Sequence, residues 1–176
     1  MVKDSKKISD KQIYYLFSQL KDIIKYSVHI MDNKTYNFYY KKYKNINTLK
    51  CIAHNNALLN FYKENQDLKI DYTVMDQFIE EKLYYNHLNQ NDVYLAPYKI
   101  LFTTKAESKS LAVACASIIA RFYFLKIIKD LEQKYKIKIF LGANNHVKNI
   151  VNILKQEKAN DINMFLKLNF NSEIKK

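Results

Sequence analysis

The sequence is poor in the residues that shape tight loops. It has one glycine, Gly142, and one proline, Pro97, in 176 residues. A glycine-rich loop that cradles phosphate needs several glycines, so none can form within these residues. Any catalytic motif built on two glycines is excluded for the same reason. Cysteine is nearly as scarce: Cys51 and Cys115 stand far apart and match no metal-ligand spacing. Two thiols without a framework fit a reducing cytosol, so the expected location is cytoplasmic. No apolar run approaches the ~18–20 residues of a membrane helix, and no membrane partner is expected. The opening MVKDSKKISD is basic with no apolar stretch behind it, so no secretory signal is expected.

Against these absences stand a large apolar fraction and a large positive charge. Hydrophobic residues make up 48% of the chain, which fits a folded domain with a real core. The formal net charge is +12. A surface that basic favours an anionic partner, most often nucleic acid. A compositional reading is also open. Nearly all the positive charge is lysine, Arg121 is the sole arginine, and Asn, Ile and Tyr are abundant. An AT-rich genome produces that bias without selection for binding.

No internal repeat, linker or low-complexity segment interrupts the chain. Ser9 and Gln12 read as a capping box before a helix carrying Ile13, Leu16, Phe17, Leu20 and Ile24 at helical spacing. Residues 26–31 are β-rich and predict a strand. Residues 33–42 lean helical, and Asn47 can cap a further helix bearing Leu49, Ile52, Asn56 and Leu59. LKIDYTVMD, residues 68–76, predicts a strand whose nearly apolar second half reads as buried on both faces. A short helix over 77–88, a second strand over 99–103 and a long amphipathic helix over 107–134 follow. Residues 136–141 predict a strand or an extended loop, residues 145–155 a last helix, and the lysine-ended tail, about 165–176, is expected to fray. Strands alternating with helices predict α/β, a sheet covered by helices.

Two carboxylates stand out. Asp76 ends a strand that reads as central, and functional groups of open α/β sheets gather at the carboxyl ends of strands. A buried strand ending in a carboxylate must give it a partner, such as a metal ion or a lysine. The structural alternative, preferred on pattern alone, is that Asp76 caps the helix after it. Glu107 is placed in the first turn of the long helix, where acids gain ~0.3–1 kcal/mol. It can also face Asp76 as a second metal ligand. Ala112, Ala114, Ala116 and Ala120 would let that helix approach the sheet closely and hold Glu107 over the strand ends. Lys105 and Lys109 could bind phosphate or solvate the helix end. His29, His54, His87 and His146 lack the i,i+4 pairing of a zinc helix. His54, on an amphipathic helix, reads as a hydrogen-bonded structural residue.

Three stretches carry a resemblance: KDSKKISD near the start, VMDQF at 74–78, and TKAESKSLAVACASIIAR ending at Arg121. With the spaced pattern of Leu49, His54, Asn55, Ala57, Leu58 and Leu59, they resemble the type 2 ribonucleases H, closest to the ribonuclease HIII branch. The resemblance runs from about Val2 to Gly142. It implies a ribonuclease H-like mixed sheet flanked by helices, in one partial catalytic domain over residues 1–176. It implies hydrolysis of the RNA strand of RNA–DNA hybrids, with four carboxylates holding Mg2+ or Mn2+. Paired metals can activate the attacking water and stabilise the leaving oxygen. Asp76 is similar to the third of these acids and Glu107 to the fourth. Ser5, Lys6, Lys105 and Lys109 resemble substrate-facing residues.

The chain also departs from the family. The first two family acids form an adjacent pair in Asp-Glu-x-Gly-x-Gly on the first strand, upstream of the DSKK stretch. No Asp-Glu dipeptide occurs in this sequence, and DSKK begins at Asp4. The first strands, half of the acids and the branch's N-terminal substrate-binding domain are therefore expected to be missing. Phe140 also stands where the family loop has proline. Three readings follow: a ribonuclease whose missing part precedes it or comes from a complementing polypeptide; a non-catalytic decayed fragment; or a basic α/β nucleic-acid-binding module without chemistry.

Overall fold

A computed structural model describes residues 8–139 and 162–171. Ser9 caps the first helix, α1 (Asp10–Leu20), through the expected box: the Gln12 backbone N–H donates to Ser9 Oγ, and the Ser9 N–H to Gln12 Oε1. Asp32 caps α2 (Asn33–Tyr43) by accepting from the Thr35 N–H at 2.7 Å. The cap of α3 (Ile46–Glu64) is Asn45 rather than Asn47, its side chain accepting from the Asn47 and Thr48 N–H groups. Strand β1 (Thr73–Asp76), helix α4 (Glu81–Asn89) and strand β2 (Ile100–Thr103) form a β–α–β unit. A 3-10 turn (Ala106–Ser108) leads into α5 (Leu111–Tyr135). A single turn, α6 (Ile162–Phe165), and a 3-10 turn (Leu168–Asn171) complete the described elements.

The sheet has two parallel strands among the described residues, with Thr73 opposite Ile100 and Asp76 opposite Thr103. It is therefore smaller than the mixed sheet the resemblance implied. Its inner face carries Met75 and Ile100 onto Cys51 and Ile52 of α3 and Tyr84 and Leu88 of α4. A second core joins Ile13 of α1 to Ile118 and Leu125 of α5. There the Phe17 and Phe122 rings stack with centroids 3.6 Å apart.

Several expectations need correction. Residues 26–31 form no strand. They are held by side chains instead: Asn60 Nδ2 donates to the Val28 carbonyl, and the Tyr26 and Tyr123 hydroxyls meet at 3.4 Å. Residues 68–72 are also outside β1, because the ladder starts where the Thr73 N–H reaches the Lys99 carbonyl and no earlier partner exists in β2. Within β1 Thr73 and Val74 are half-buried, Met75 is buried and Asp76 is exposed, so the second half of the segment is not buried on both faces. Residues 136–139 form no strand: Lys136 is the left-handed cap of α5, and the Ile137 and Ile139 N–H groups donate back to the Glu132 carbonyl and Glu132 Oε1. The last helix expected over 145–155 lies outside the described residues. Near the end, Leu168 is tied down where its N–H donates to Asn37 Oδ1 at 2.8 Å.

Helix α5 also differs from expectation. Its length and composition would suffice to cross a membrane, because few charges interrupt it even though no apolar run is unbroken. Here Ala114, Cys115, Ile118, Ile119 and Leu125 are buried, and the helix packs on α1, β1 and the 3-10 turn. Of its four small residues, only Ala114 faces inward; Ala112, Ala116 and Ala120 are exposed.

Candidate active site

Parallel pairing puts the carboxyl ends of β1 and β2 side by side. Asp76 is the last residue of β1, and its side chain is exposed. It does not cap α4, whose N-cap is Glu80. Instead Asp76 Oδ1 accepts a hydrogen bond from the Ala106 N–H at 2.9 Å. That bond ties the end of β1 to the turn that follows β2, and it leaves Oδ2 available.

The turn is built locally. Lys105 adopts a left-handed backbone with φ 53°. For a residue with a Cβ this costs roughly 1–2 kcal/mol. The reversal is stabilised by the Lys105 carbonyl, which accepts from both the Ser108 N–H and Ser108 Oγ. Ala106 is wholly buried and anchors the turn. Glu107 therefore lies in this turn and not in the first turn of α5, whose N-cap is Ser110. As the residue after Ala106, it stands next to Asp76's partner. Among the described residues, Glu107 forms no ion pair or hydrogen bond, so its carboxylate is uncommitted.

Lys109 bends back to the strand end, its Nζ donating to Thr103 Oγ1 at 3.2 Å. Lys105 is exposed at the start of the turn. The structure thus gathers Asp76, Glu107, Lys105 and Lys109 at one sheet end. Ser5 and Lys6 lie outside the described residues, as does the 140–143 loop.

Sequence reasoning missed what surrounds Asp76. His54 is held by stacking on Phe78, two residues beyond Asp76, with ring centroids 4.9 Å apart. His54 keeps part of its surface exposed, but the atoms packed round its imidazole still lower its pKa; Lys50 pushes the same way, and Asp76 opposes both. Asn55, also in the resemblance pattern, is buried. Its amide donates to the Tyr94 carbonyl at 2.8 Å and accepts from the Ala96 N–H at 3.0 Å. That clamp fixes the loop entering β2 and hence the strand-end register. The one available signal was the i,i+4 spacing of Lys50 and His54, which puts both on one face of α3.

Hard carboxylate oxygens such as these suit Mg2+ or Mn2+. Among the described residues, no group of three or more potential ligands converges. The residues present fit part of a divalent-metal site.

Acids at the carboxyl ends of parallel strands, walled by helices, place the molecule among α/β domains that build their sites at the strand ends. The family model described as Ribonuclease HII matches residues 1–173. The chain belongs to that family. It is 37% identical over 172 residues to ribonuclease HIII of Phytoplasma mali (strain AT), covering 96% of this chain and 58% of that protein. Identity to ribonuclease HIII of Bacillus subtilis (strain 168) is 34% over 170 residues, covering 96% and 54%. The fold superposes on Bst-RNase HIII in complex with Mn2+ with a TM-score of 0.88 at 25% identity, covering 96% of this chain and 55% of that one. The chain therefore spans just over half the length of these relatives.

Proposed function

We propose that this chain is part of a ribonuclease that hydrolyses the RNA strand of RNA–DNA hybrids, with Asp76 and Glu107 as two of the acids around Mg2+ or Mn2+. The observation that carries the reading is the Asp76 to Ala106 bond, which holds Glu107 beside the end of β1. When bound, the metal would activate the attacking water and neutralise the charge on the leaving oxygen. Asp76 and Glu107 would hold it. Lys105 and Lys109 would position substrate phosphate at the turn, with Ser5 and Lys6 as further substrate contacts. The free thiols of Cys51 and Cys115 fit a cytoplasmic setting.

Two carboxylates flanked by lysines are a thin site for magnesium. The remaining acids must come from outside these residues, through further chain of the same polypeptide or a complementing one that adds strands to the sheet. Alone, the chain fits the third reading better: a basic α/β module that binds nucleic acid without cutting it. The charge of +12 and the two-acid site favour that state.

The test is a fluorogenic hybrid assay on the chain alone and with an added polypeptide carrying an Asp-Glu-x-Gly-x-Gly strand. Cleavage is expected only with both parts and a divalent metal, and Asp76→Asn or Glu107→Gln should lower it at least a hundredfold. Cleavage that survives both substitutions refutes the assignment.

A further inference from the structure

His54 has no hydrogen bond among the described residues, contrary to the structural role expected of it. Its ring is nevertheless fixed. It lies nearly parallel to the Phe78 ring, at 20° and with 4.9 Å between centroids. Lys50, one turn earlier on α3, places its Nζ 5.7 Å from the centroid of that same ring. Lys50 also has no ion pair or hydrogen bond among the described residues. Both side chains are exposed, whereas Leu49, Cys51, Ile52 and Asn55 of the same helix are buried. Burial of that second set fixes the rotation of α3 and so keeps Lys50 and His54 facing outward.

Phe78 ties this pair to the strand end. It is two residues beyond Asp76, so the two Cα atoms lie within about 7 Å of each other. Between them the Gln77 N–H donates to the Thr103 carbonyl at 3.0 Å, which keeps the link in register on β2. An ammonium and an imidazole held against one ring, with no acid paired to either among the described residues, present donors to an anion. The stack on Phe78 also removes freedom that an exposed imidazole would otherwise lose on binding. Under the function proposed above, the anion that meets this strand end is a nucleic-acid backbone, charged at every phosphate.

We propose that Lys50 and His54, presented by α3 on Phe78, contact a backbone phosphate of the nucleic-acid strand that meets Asp76. This rests on the function proposed above and adds a binding contact from α3, apart from the metal-site acids and from the turn carrying Lys105 and Lys109. The pair positions the strand and takes no part in bond breaking.

The test is fluorescence anisotropy of a labelled RNA–DNA hybrid with the full 176-residue chain, in EDTA so that metal plays no part, across a salt series. A pH of roughly 8 lies above the ordinary imidazole pKa of about 6.5, so His54 acts through a hydrogen bond and not a charge. Lys50→Gln should reduce the slope of log affinity against log salt by about 0.9, the share of one phosphate contact. Lys126→Gln removes the same charge from a lysine already paired with Asp130, and should reduce the slope much less. His54→Phe keeps a ring against Phe78 but removes both nitrogens. It should lower affinity roughly threefold to tenfold, as one lost hydrogen bond does, and move Tm by less than about 2 °C. An unchanged slope in Lys50→Gln, an equal fall in Lys126→Gln, or an unchanged affinity in His54→Phe overturns the contact and leaves the functional reading standing. Lost affinity together with a clearly lower Tm marks His54 as structural and overturns its part. No binding by the unsubstituted chain overturns both the contact and the functional reading.

Discussion

Tyr84 shows how much a single buried group can decide. It is fully buried in the core beneath the sheet, and its hydroxyl finds no hydrogen-bond partner among the described residues. Burial raises its pKa well above the usual tyrosine value, with the Cys51 thiol and Tyr85 adding to the effect. An unpaired buried hydroxyl costs about 1–3 kcal/mol. Tyr84→Phe should therefore stabilise the fold by about 1 kcal/mol and raise Tm by about 2–4 °C. A fall in Tm would show that the hydroxyl is satisfied. Cys51, beside it, is pushed up to about 11 by burial, so it remains a thiol at neutral pH. The sequence could not show that Tyr84's hydroxyl would be left without a partner, because that depends on which helices meet there.

At the scale of elements, the sheet end is set by a clamp from α3. Asn55 satisfies the Tyr94 carbonyl and the Ala96 N–H, and so fixes the chain just before β2. Asn55→Ala would leave both backbone groups unpaired, at a cost on the order of 3 kcal/mol. Urea unfolding should show that loss as a lower midpoint with an unchanged slope. A change below about 0.5 kcal/mol would mean the loop is held by other contacts. The elements themselves were largely legible: α1 with its box, α2, α3, α4, both strands and α5 fall near their expected places. The small-residue face of α5 was misread. Its spacing identified an amphipathic helix, but Ala112, Ala116 and Ala120 point away from the sheet while Ala114, Cys115 and Ile118 face inward. A helical period fixes which residues share a face, not which face meets the neighbour.

For the whole molecule, the controlling quantities are a charge of +12 and a proposed site with two acids among the described residues. Charge favours attraction to any polyanion. Chemistry needs more ligands than Asp76 and Glu107 provide. The 176-residue chain alone is therefore expected to bind an RNA–DNA hybrid, more weakly as salt rises, and to leave it uncut in Mg2+ or Mn2+. Gel analysis of the incubated hybrid checks this. Metal-dependent cutting by the chain alone would overturn the claim that further acids are required.

The sequence by itself determined the family, through ordered motifs around Asp76, Asn55 and Glu107, and it determined the absence of an Asp-Glu pair. Both are properties of residue order and need no coordinates. Tertiary structure alone decided what those residues touch. It moved Asp76 from a helix cap to a tie onto Ala106, and Glu107 from a helix turn to a 3-10 turn. Spacing reports only local geometry; the approach of distant segments depends on how cores pack, and the energy of that packing is shared across many residues.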